Sequence, residues 1–427
     1  MINCFIPFLS LPQARQTVRA LGLCDRIKNI YLLATEKIPD EVEGCEMLMI
    51  DSPASTATFR TIALHADTAY TLLYTKYTAF EPGQFAFERL LAIAGDTNAG
   101  MLYADRYLLK NGNSQQAPVI DYQKGSLRDD FDFGSLLFFR SSVLKQAVRA
   151  MDADYRFAGL YDLRLRVSEL AELVHVNEYL YSEVETDIRK SGEKLFDYVD
   201  PKNRAVQIEL EAVCTAYLKR VGGYLAPDFE PVTFDAGGFE QEASVIIPVR
   251  NRIRTIEDAI RSVLAQKTTF RFNLIIVDNH STDGTSEAIG KYTADGRVVH
   301  LVPERSDLGI GGCWNVGVHH PACGKFAVQL DSDDVYSGPD TLQKIVDAFY
   351  EQNCAMVVGT YRMTDFKMNE IPPGIIDHRE WTLENGRNNA LRINGLGAPR
   401  AFYTPVLRRI NLPNTSYGED YALGLRI

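Results

Sequence analysis

The sequence predicts an α/β protein of two tandem Rossmann-like domains, each with a mostly parallel sheet, joined by a helical linker. Three observations predict it. From Ala243 onward, short β-rich runs alternate with amphipathic helical stretches. Two of the apolar runs end in carboxylates, and the carboxyl ends of strands are where such sheets bind ligands. Residues 1 to about 185 repeat the pattern of the second half without its acidic residues.

Ser244-Val245-Ile246-Ile247-Pro248-Val249-Arg250-Asn251 reads as a strand and the loop after it. Thr255 is placed to cap a helix in which Ile256, Ala259, Ile260, Val263 and Leu264 share one face. Asn273 to Val277 is a second buried strand, ending in Asp278-Asn279-His280-Ser281-Thr282-Asp283-Gly284-Thr285, a turn into another helix. Val298 to Val302 is a third strand and Phe326 to Leu330 a fourth, followed by a helix marked by Leu342, Ile345, Val346 and Phe349. The fourth strand ends in Asp331-Ser332-Asp333-Asp334. Carboxylates gathered at the end of a buried strand repel one another unless a cation lies between them. Together the two acidic strand ends predict a metal and nucleotide site.

From about Ser244 to Ile427 the chain resembles family 2 of the glycosyltransferases, the inverting sugar-nucleotide enzymes of the GT-A fold. The opening strand with Ile247-Pro248 matches, although Arg250-Asn251 stands where the family has Tyr-Asn. Val277 to Thr285 looks like the family's "VDDGSTDGT" segment. Leu308-Gly309 and Asn315-Val316-Gly317 match its glycine-and-asparagine element. Asp331-Ser332-Asp333-Asp334, with Pro339 after it, is similar to its acidic metal motif, and Gly418-Glu419-Asp420 to its late "ED" motif. One such element is weak; five in order are strong.

The resemblance implies a glycosyltransferase that moves a sugar from a UDP- or GDP-sugar to a glycan or lipid-linked acceptor, in surface-polysaccharide or glycoconjugate synthesis. It implies a divalent cofactor, Mn²⁺ or Mg²⁺, with Asp333 as the direct ligand and Asp331 and Asp334 holding metal, ribose or donor sugar. Asn279 would meet the base and Asp278 the ribose, with Pro248 and Asn251 lining the pocket. Asn279 stands where many relatives carry Asp, so it offers an uncharged acceptor. Asp420, in the pair Glu419-Asp420, would take the proton of the attacking hydroxyl. Arg400 would contact phosphate or acceptor. Two rivals are weighed against this reading. A sugar-phosphate nucleotidyltransferase expects a glycine-rich loop after the first strand, and Val249-Arg250-Asn251-Arg252-Ile253 has no glycine. A non-catalytic nucleotide-sugar-binding scaffold sits poorly with Asp331, Asp333 and Asp420 all being present.

Several other residues read more simply. Thr282 and Asp283 suit helix capping rather than catalysis. His319 and His320 are adjacent and point apart, so they suit no shared metal. Trp314 suits packing beneath the donor pocket.

In the first half, Ile2 to Phe8 parallels the opening strand, and Lys28 to Thr35 parallels the strand into Asp278. Gly134 to Lys145 aligns without a gap against Gly397 to Arg408, and Gly159 echoes Gly418. Counting back from Pro82 as from Pro339 sets Tyr74, Lys76 and Tyr77 where Asp331, Asp333 and Asp334 stand, and Leu160 and Tyr161 replace Glu419 and Asp420. This predicts residues 1–185 as a degenerate GT-A-like domain, non-catalytic, serving as structural partner, acceptor platform or dimer surface, with a metal-independent site in which Lys76 meets phosphate as the alternative. Residues 186–241 read as a helical linker, with a stripe of Val206, Leu210, Val213, Tyr217 and Val221 ended by Gly222-Gly223. Residues 242–427 are the catalytic domain.

A net charge of −11 argues against nucleic acid as a partner, which calls for a basic footprint. Seven cysteines without a CxxC pair fit reduced thiols in a cytoplasmic protein. No apolar run approaches the ~20 residues of a membrane span, which leaves peripheral contact on the inner face of the membrane compatible. The chain ends seven residues after Asp420, inside the helix expected there; the resemblance implies that further residues follow.

Overall fold

A computed structural model describes residues 1–37, 40–110, 112–184, 203–235, 237–378, 381–393 and 395–427. The chain forms two compact units, Met1–Tyr224 with Leu391–Ile393, and Leu225–Ala390 with Asn394–Ile427.

The second unit is built on a sheet in the order Val298–Leu301, Phe272–Asp278, Ala243–Val249, Phe326–Gln329, Arg400–Tyr403, Met356–Val358. The first four strands are parallel and the last two pairings antiparallel. Strands covered on both faces are apolar throughout, and alternate residues of Ala243–Val249 enter different cores. Val245, Ile247 and Val249 pack with Ile256, Ile260 and Val263 and with Leu342, Val346 and Phe349. Ile246 packs on the other face with Cys313, Trp314, Val318 and Leu407. Parallel strands bring their carboxyl ends to one edge, which places Asp278, Asn251 and Asp331 along the same rim.

The first unit has a nine-stranded sheet whose path begins Glu46–Met49, Ile27–Ala34, Ile2–Pro7, Tyr70–Tyr74, Leu136–Arg140, Met101–Lys110. That is the strand order of the second unit, with the same sense at every pairing. The registers agree as well. Ile2 pairs with Tyr70 as Ala243 pairs with Phe326, and Tyr70 with Arg140 as Phe326 with Tyr403. The last correspondence is the ungapped alignment of Gly134–Lys145 on Gly397–Arg408. One sequence equivalence is corrected. Starting from Tyr70 and Phe326, the positions of Asp331, Asp333 and Asp334 fall on Thr75, Tyr77 and Thr78, one residue beyond the Tyr74, Lys76 and Tyr77 obtained by counting from the prolines.

Each unit adds its own strands. The first extends its sheet with Leu173–Val184 and Phe80–Pro82. The second carries a separate hairpin, Tyr361–Thr364 with Glu370–Ile376. The stretch 186–241, read from sequence as a linker, is divided between the units. Residues 185–202 lie outside the described residues. The helix Arg204–Val221 packs Val213, Cys214, Tyr217 and Leu218 against Leu127, Ala158, Tyr161 and Leu165 of the first unit. Its Glu209 accepts from the backbone N–H groups of Phe157 and Ala158 at 2.7 and 3.1 Å, at the start of the helix Gly159–Leu170. Gly222, at φ 75°, ends the helix in the left-handed conformation that glycine adopts most cheaply. Phe234 already belongs to the second unit, with its ring against Phe326, Tyr350 and Tyr403. No helix among the described residues is long and apolar enough to cross a membrane.

Candidate active site

The strand Phe326–Gln329 leaves its sheet through Leu330 into a turn in which the Asp334 N–H donates to the Asp331 carbonyl at 3.1 Å. The turn gathers Asp331, Asp333 and Asp334. Burial pushes the Asp331 carboxyl above its usual range, and the charges of Asp333 and Asp420 push it further. Asp334 is raised to about 6, first by lost solvation and then by Asp331 and Asp333. Hard oxygen donors that destabilise one another's charge match a divalent cation. In chemistry these donors suit Mn²⁺ or Mg²⁺, although among the described residues their oxygens do not draw together into one three-ligand group.

A hydrogen-bonded chain runs from this cluster across the sheet. Gln329 Nε2 donates to Asp331 Oδ1 at 2.9 Å, and Gln329 Oε1 accepts from Arg400 Nε at 2.6 Å. Arg400 Nη1 meets Asp420 Oδ2 at 2.5 Å and donates to the Leu396 carbonyl at 2.8 Å. Arg400 is buried, and with Nε on Gln329 and Nη1 on Asp420 and the Leu396 carbonyl it holds Asp420 in place. Glu419 is buried beside them. Burial raises its carboxyl, as do Asp420 and Asp331, and its Oε2 has no partner.

The segment leading to Glu419-Asp420 is clamped to the helix Ile310–His319. Asn315 Nδ2 donates to the Leu412 carbonyl at 2.8 Å, and Asn315 Oδ1 accepts from the Leu412 N–H at 3.0 Å. Asn414 Oδ1 accepts from the Gly309 N–H at 2.8 Å. A Cβ at Gly311 would lie 2.0 Å from the Pro413 carbonyl oxygen, and one at Gly312 2.2 Å from Asn414 Oδ1. The glycine-and-asparagine element thus serves close approach: it lets the chain carrying Asp420 lie against the helix.

At the other acidic strand end, Asn279 Nδ2 donates to the Leu308 carbonyl at 2.8 Å. A carbonyl only accepts, so the amide orientation is determined, and Asn279 Oδ1 is left buried without a donor. Asp278 is different. It is fully buried, and its oxygens accept from the Ser281 N–H at 3.0 Å and from the Ser286 hydroxyl, with His300 Nε2 at 3.5 Å. Burial pushes its carboxyl up, and the Ser281 and Ser286 hydrogen bonds outweigh this and hold it below the usual range. Asp278 anchors the turn and shows no free oxygen to a ribose. Asn251, at φ 54°, accepts from the Thr282 N–H at 2.8 Å and joins the same turn to the end of the first strand. Pro248, half-buried on that strand, pairs with Val277.

The remaining candidates take structural places, although the N-cap of the helix Thr285–Gly290 is Gly284, not Thr282 or Asp283, and carries no side-chain cap. Asp283 accepts from the N–H groups of Thr285 and Ile253, both at 3.1 Å, and so organises two loops. His319 reaches Asn411 while His320 accepts from the Ala322 N–H. Trp314 lies in the core edge-on to Phe402. Sequence reasoning passed over Gln329, Arg252 and Arg254. Gln329 had a signal, a polar amide ending an otherwise apolar strand.

In the first unit the equivalent rim is closed from within. Ala34 stands at the register position of Asp278 and Leu137 at that of Arg400. Lys76 Nζ lies 2.6 Å from Glu183, a fully buried carboxylate that also takes Arg106 Nε at 3.0 Å. Glu183 comes from the added strand Leu173–Val184. Lys76 is therefore paired within the unit.

Residues 244–409 match the model of Glycosyl transferase family 2. Similar curated proteins include TuaG of Bacillus subtilis, a glycosyltransferase named for teichuronic acid biosynthesis, 33% identical over 120 residues, 28% of this chain and 46% of that one. An uncharacterised glycosyltransferase of Rickettsia conorii is 38% identical over 97 residues, 23% of this chain and 15% of its own. The chain thus spans less than half the length of these relatives. Among solved structures, S. aureus TarS residues 1–349 align at 22% identity and a TM-score of 0.34, over 43% of this chain and 53% of that one. The mannosyltransferase PcManGT of Pyrobaculum calidifontis, solved with GDP-Man and Mn²⁺, aligns at 18% identity and a TM-score of 0.32, over 52% and 60%.

Proposed function

Taking residues 244–409 as a glycosyl transferase family 2 domain, we propose that the protein is a metal-dependent inverting glycosyltransferase acting on a nucleotide sugar. The observation that carries this is the chain Asp331–Gln329–Arg400–Asp420, which ties the carboxylates suited to a cation to the carboxylate suited to a base.

A bound Mn²⁺ or Mg²⁺ would neutralise the charge that builds on the leaving diphosphate. Asp331, Asp333 and Asp334 would hold it. The acceptor hydroxyl oxygen bonds to the anomeric carbon as the bond from that carbon to the diphosphate oxygen breaks. The hydroxyl proton passes to the Asp420 carboxylate, and the nucleoside diphosphate leaves. One direct displacement inverts the anomeric centre. Arg400 orients the Asp420 carboxylate for this transfer, and the unpaired Glu419 Oε2 offers an acceptor to a sugar hydroxyl.

The free Asn279 Oδ1 selects among bases. Uracil and guanine present a ring N–H to it, whereas cytosine presents a lone pair at N3, which supports a UDP- or GDP-sugar donor. The name of TuaG supports a polysaccharide or other glycan acceptor, free or lipid-linked, with the protein acting in the cytoplasm or against the inner face of the membrane. The first unit would be a non-catalytic partner or acceptor platform.

The test is donor turnover. UDP- and GDP-sugars are incubated with and without Mn²⁺, and release of the nucleoside diphosphate is followed with wild type and Asp420→Asn. Metal-dependent release lost in the variant is expected. Mn²⁺-dependent nucleotide binding without any turnover would favour a scaffold.

A further inference from the structure

The loop between the strand Ala243–Val249 and the helix Ile256–Leu264 carries Arg250, Arg252 and Arg254 in a chain of net charge −11. Among the described residues, Arg250 and Arg254 have no carboxylate within ion-pair distance. Arg252 has only an exposed 3.8 Å contact with Asp333. Two guanidinium groups at one cavity, with only a long contact to a carboxylate between them, are relieved of mutual repulsion by an anion.

Arg252 and Arg254 line a cavity of about 330 Å³ that reaches Asp333 on one side and Phe366 on the other. Phe366, near the tip of the hairpin Tyr361–Ile376, lies with its ring centroid 5.7 Å from the Arg254 guanidinium carbon. Thr255 lines the same cavity, and its hydroxyl is buried without a partner. The cavity also contains Asp283, but both of its oxygens are occupied by loop N–H groups. Asp333 apart, the charged groups left to the cavity are therefore the two guanidinium groups.

We infer that this cavity binds a phosphoryl group, through the guanidinium groups of Arg252 and Arg254. Guanidinium forks match phosphate oxygens in geometry and charge. The long contact from Arg252 to Asp333 is given up cheaply. The inference rests on the proposed function in one respect, that Asp333 belongs to the donor site. Two sources supply the same chemistry, the diphosphate of the donor and a phosphate carried by the acceptor.

The experiment is calorimetric binding of pyrophosphate, UDP, GDP, uridine, guanosine and glucose 6-phosphate, with and without Mn²⁺. It compares the full chain with an Arg252→Gln/Arg254→Gln double variant and with Arg254→Lys. These side chains are exposed, so the variants are expected to fold, which an unchanged melting temperature checks. Pyrophosphate should bind wild type, lose affinity about tenfold or more in the double variant, weaken with salt, and keep part of its affinity in Arg254→Lys. If UDP or GDP weakens in parallel while its nucleoside does not, the group belongs to the donor. If glucose 6-phosphate weakens and the nucleotides do not, it belongs to the acceptor. The inference is overturned if pyrophosphate does not bind wild type, or if all phosphate probes bind the double variant within about twofold of wild type. Failure of the proposed function looks different: pyrophosphate binds through the arginines, yet neither UDP nor GDP binds with Mn²⁺.

Discussion

The two units of this chain carry the same six strands in the same order and register, but at four matched positions only the second has carboxylates. The first has Ala34, Thr75, Tyr77 and Thr78 at the register positions of Asp278, Asp331, Asp333 and Asp334. In its place stands an internal network, with Lys76 and Arg106 on the buried Glu183. The sheet depends on apolar residues distributed along the strands, whereas the chemistry depends on a few residues just past them. The first set can persist while the second is replaced, which is why fold alone does not carry function.

The largest expected effect separates the units outright. Asp420→Asn should reduce sugar transfer by roughly 10²–10⁴-fold, the usual weight of a general base, and leave Mn²⁺-dependent UDP or GDP affinity within about twofold of wild type. Tyr161, at the corresponding place in the first unit, donates instead to the Leu127 carbonyl at 2.6 Å. Wild-type transfer rates in Asp420→Asn would remove it as the base.

Next comes the connection that the first unit lacks. Gln329→Leu keeps an apolar strand end but cuts both links, to Asp331 and to Arg400. A misplacement of about 1 Å at a reacting group costs up to ~10²-fold, so kcat should fall by roughly 10–100-fold with little change in KM for the donor. An equal rise in KM with kcat unchanged would assign Gln329 to binding instead of positioning.

A paired experiment sharpens the contrast. Asp333→Asn should weaken metal-dependent nucleotide binding about tenfold or more, with little change in melting temperature because the side chain is exposed. Lys76→Met should do the reverse. Transfer should stay within about twofold, while stability falls by about 1–3 kcal/mol, since Glu183 loses one of its two cations but keeps Arg106. Denaturant unfolding and donor turnover on both variants distinguish the outcomes. A Lys76→Met protein as stable as wild type but slower in transfer would show that the first unit takes part in the reaction.

Much of this contrast was legible in the sequence, for physical reasons. Buried parallel strands are apolar along their whole length, so Leu274–Val277 and Phe326–Val328 announce themselves, and the carboxylates that follow them stand out. Asp331, Asp333 and Asp334 stand out this way, whereas Asp420, in the first turn of a helix, stands out only through the family resemblance. The alternation also reveals the repeat, down to the ungapped match at Gly134–Lys145. Long-range pairing was not legible. Nothing local shows that Arg400 turns inward onto Asp420, that Ser286 occupies Asp278, or that Glu183 reaches back to Lys76. The one-residue error in placing Thr75, Tyr77 and Thr78 has the same origin. Counting from a proline assumes equal loop lengths, and only strand register reveals the difference.

The smallest expected effect bears on the base. Asn279 Oδ1 is a buried acceptor with no donor, while its Nδ2 is committed to the Leu308 carbonyl. Leaving such an atom unmatched has a cost that a nucleobase N–H removes, so one hydrogen bond of about 0.5–1.5 kcal/mol is at stake. Asn279→Ala should therefore weaken UDP or GDP binding by roughly 3–10-fold. CMP, which offers a lone pair at the same ring position, should bind poorly to both proteins. Pyrophosphate, which has no base, should bind both equally. If CMP binds wild type as well as UDP and GDP do, Asn279 does not read the base.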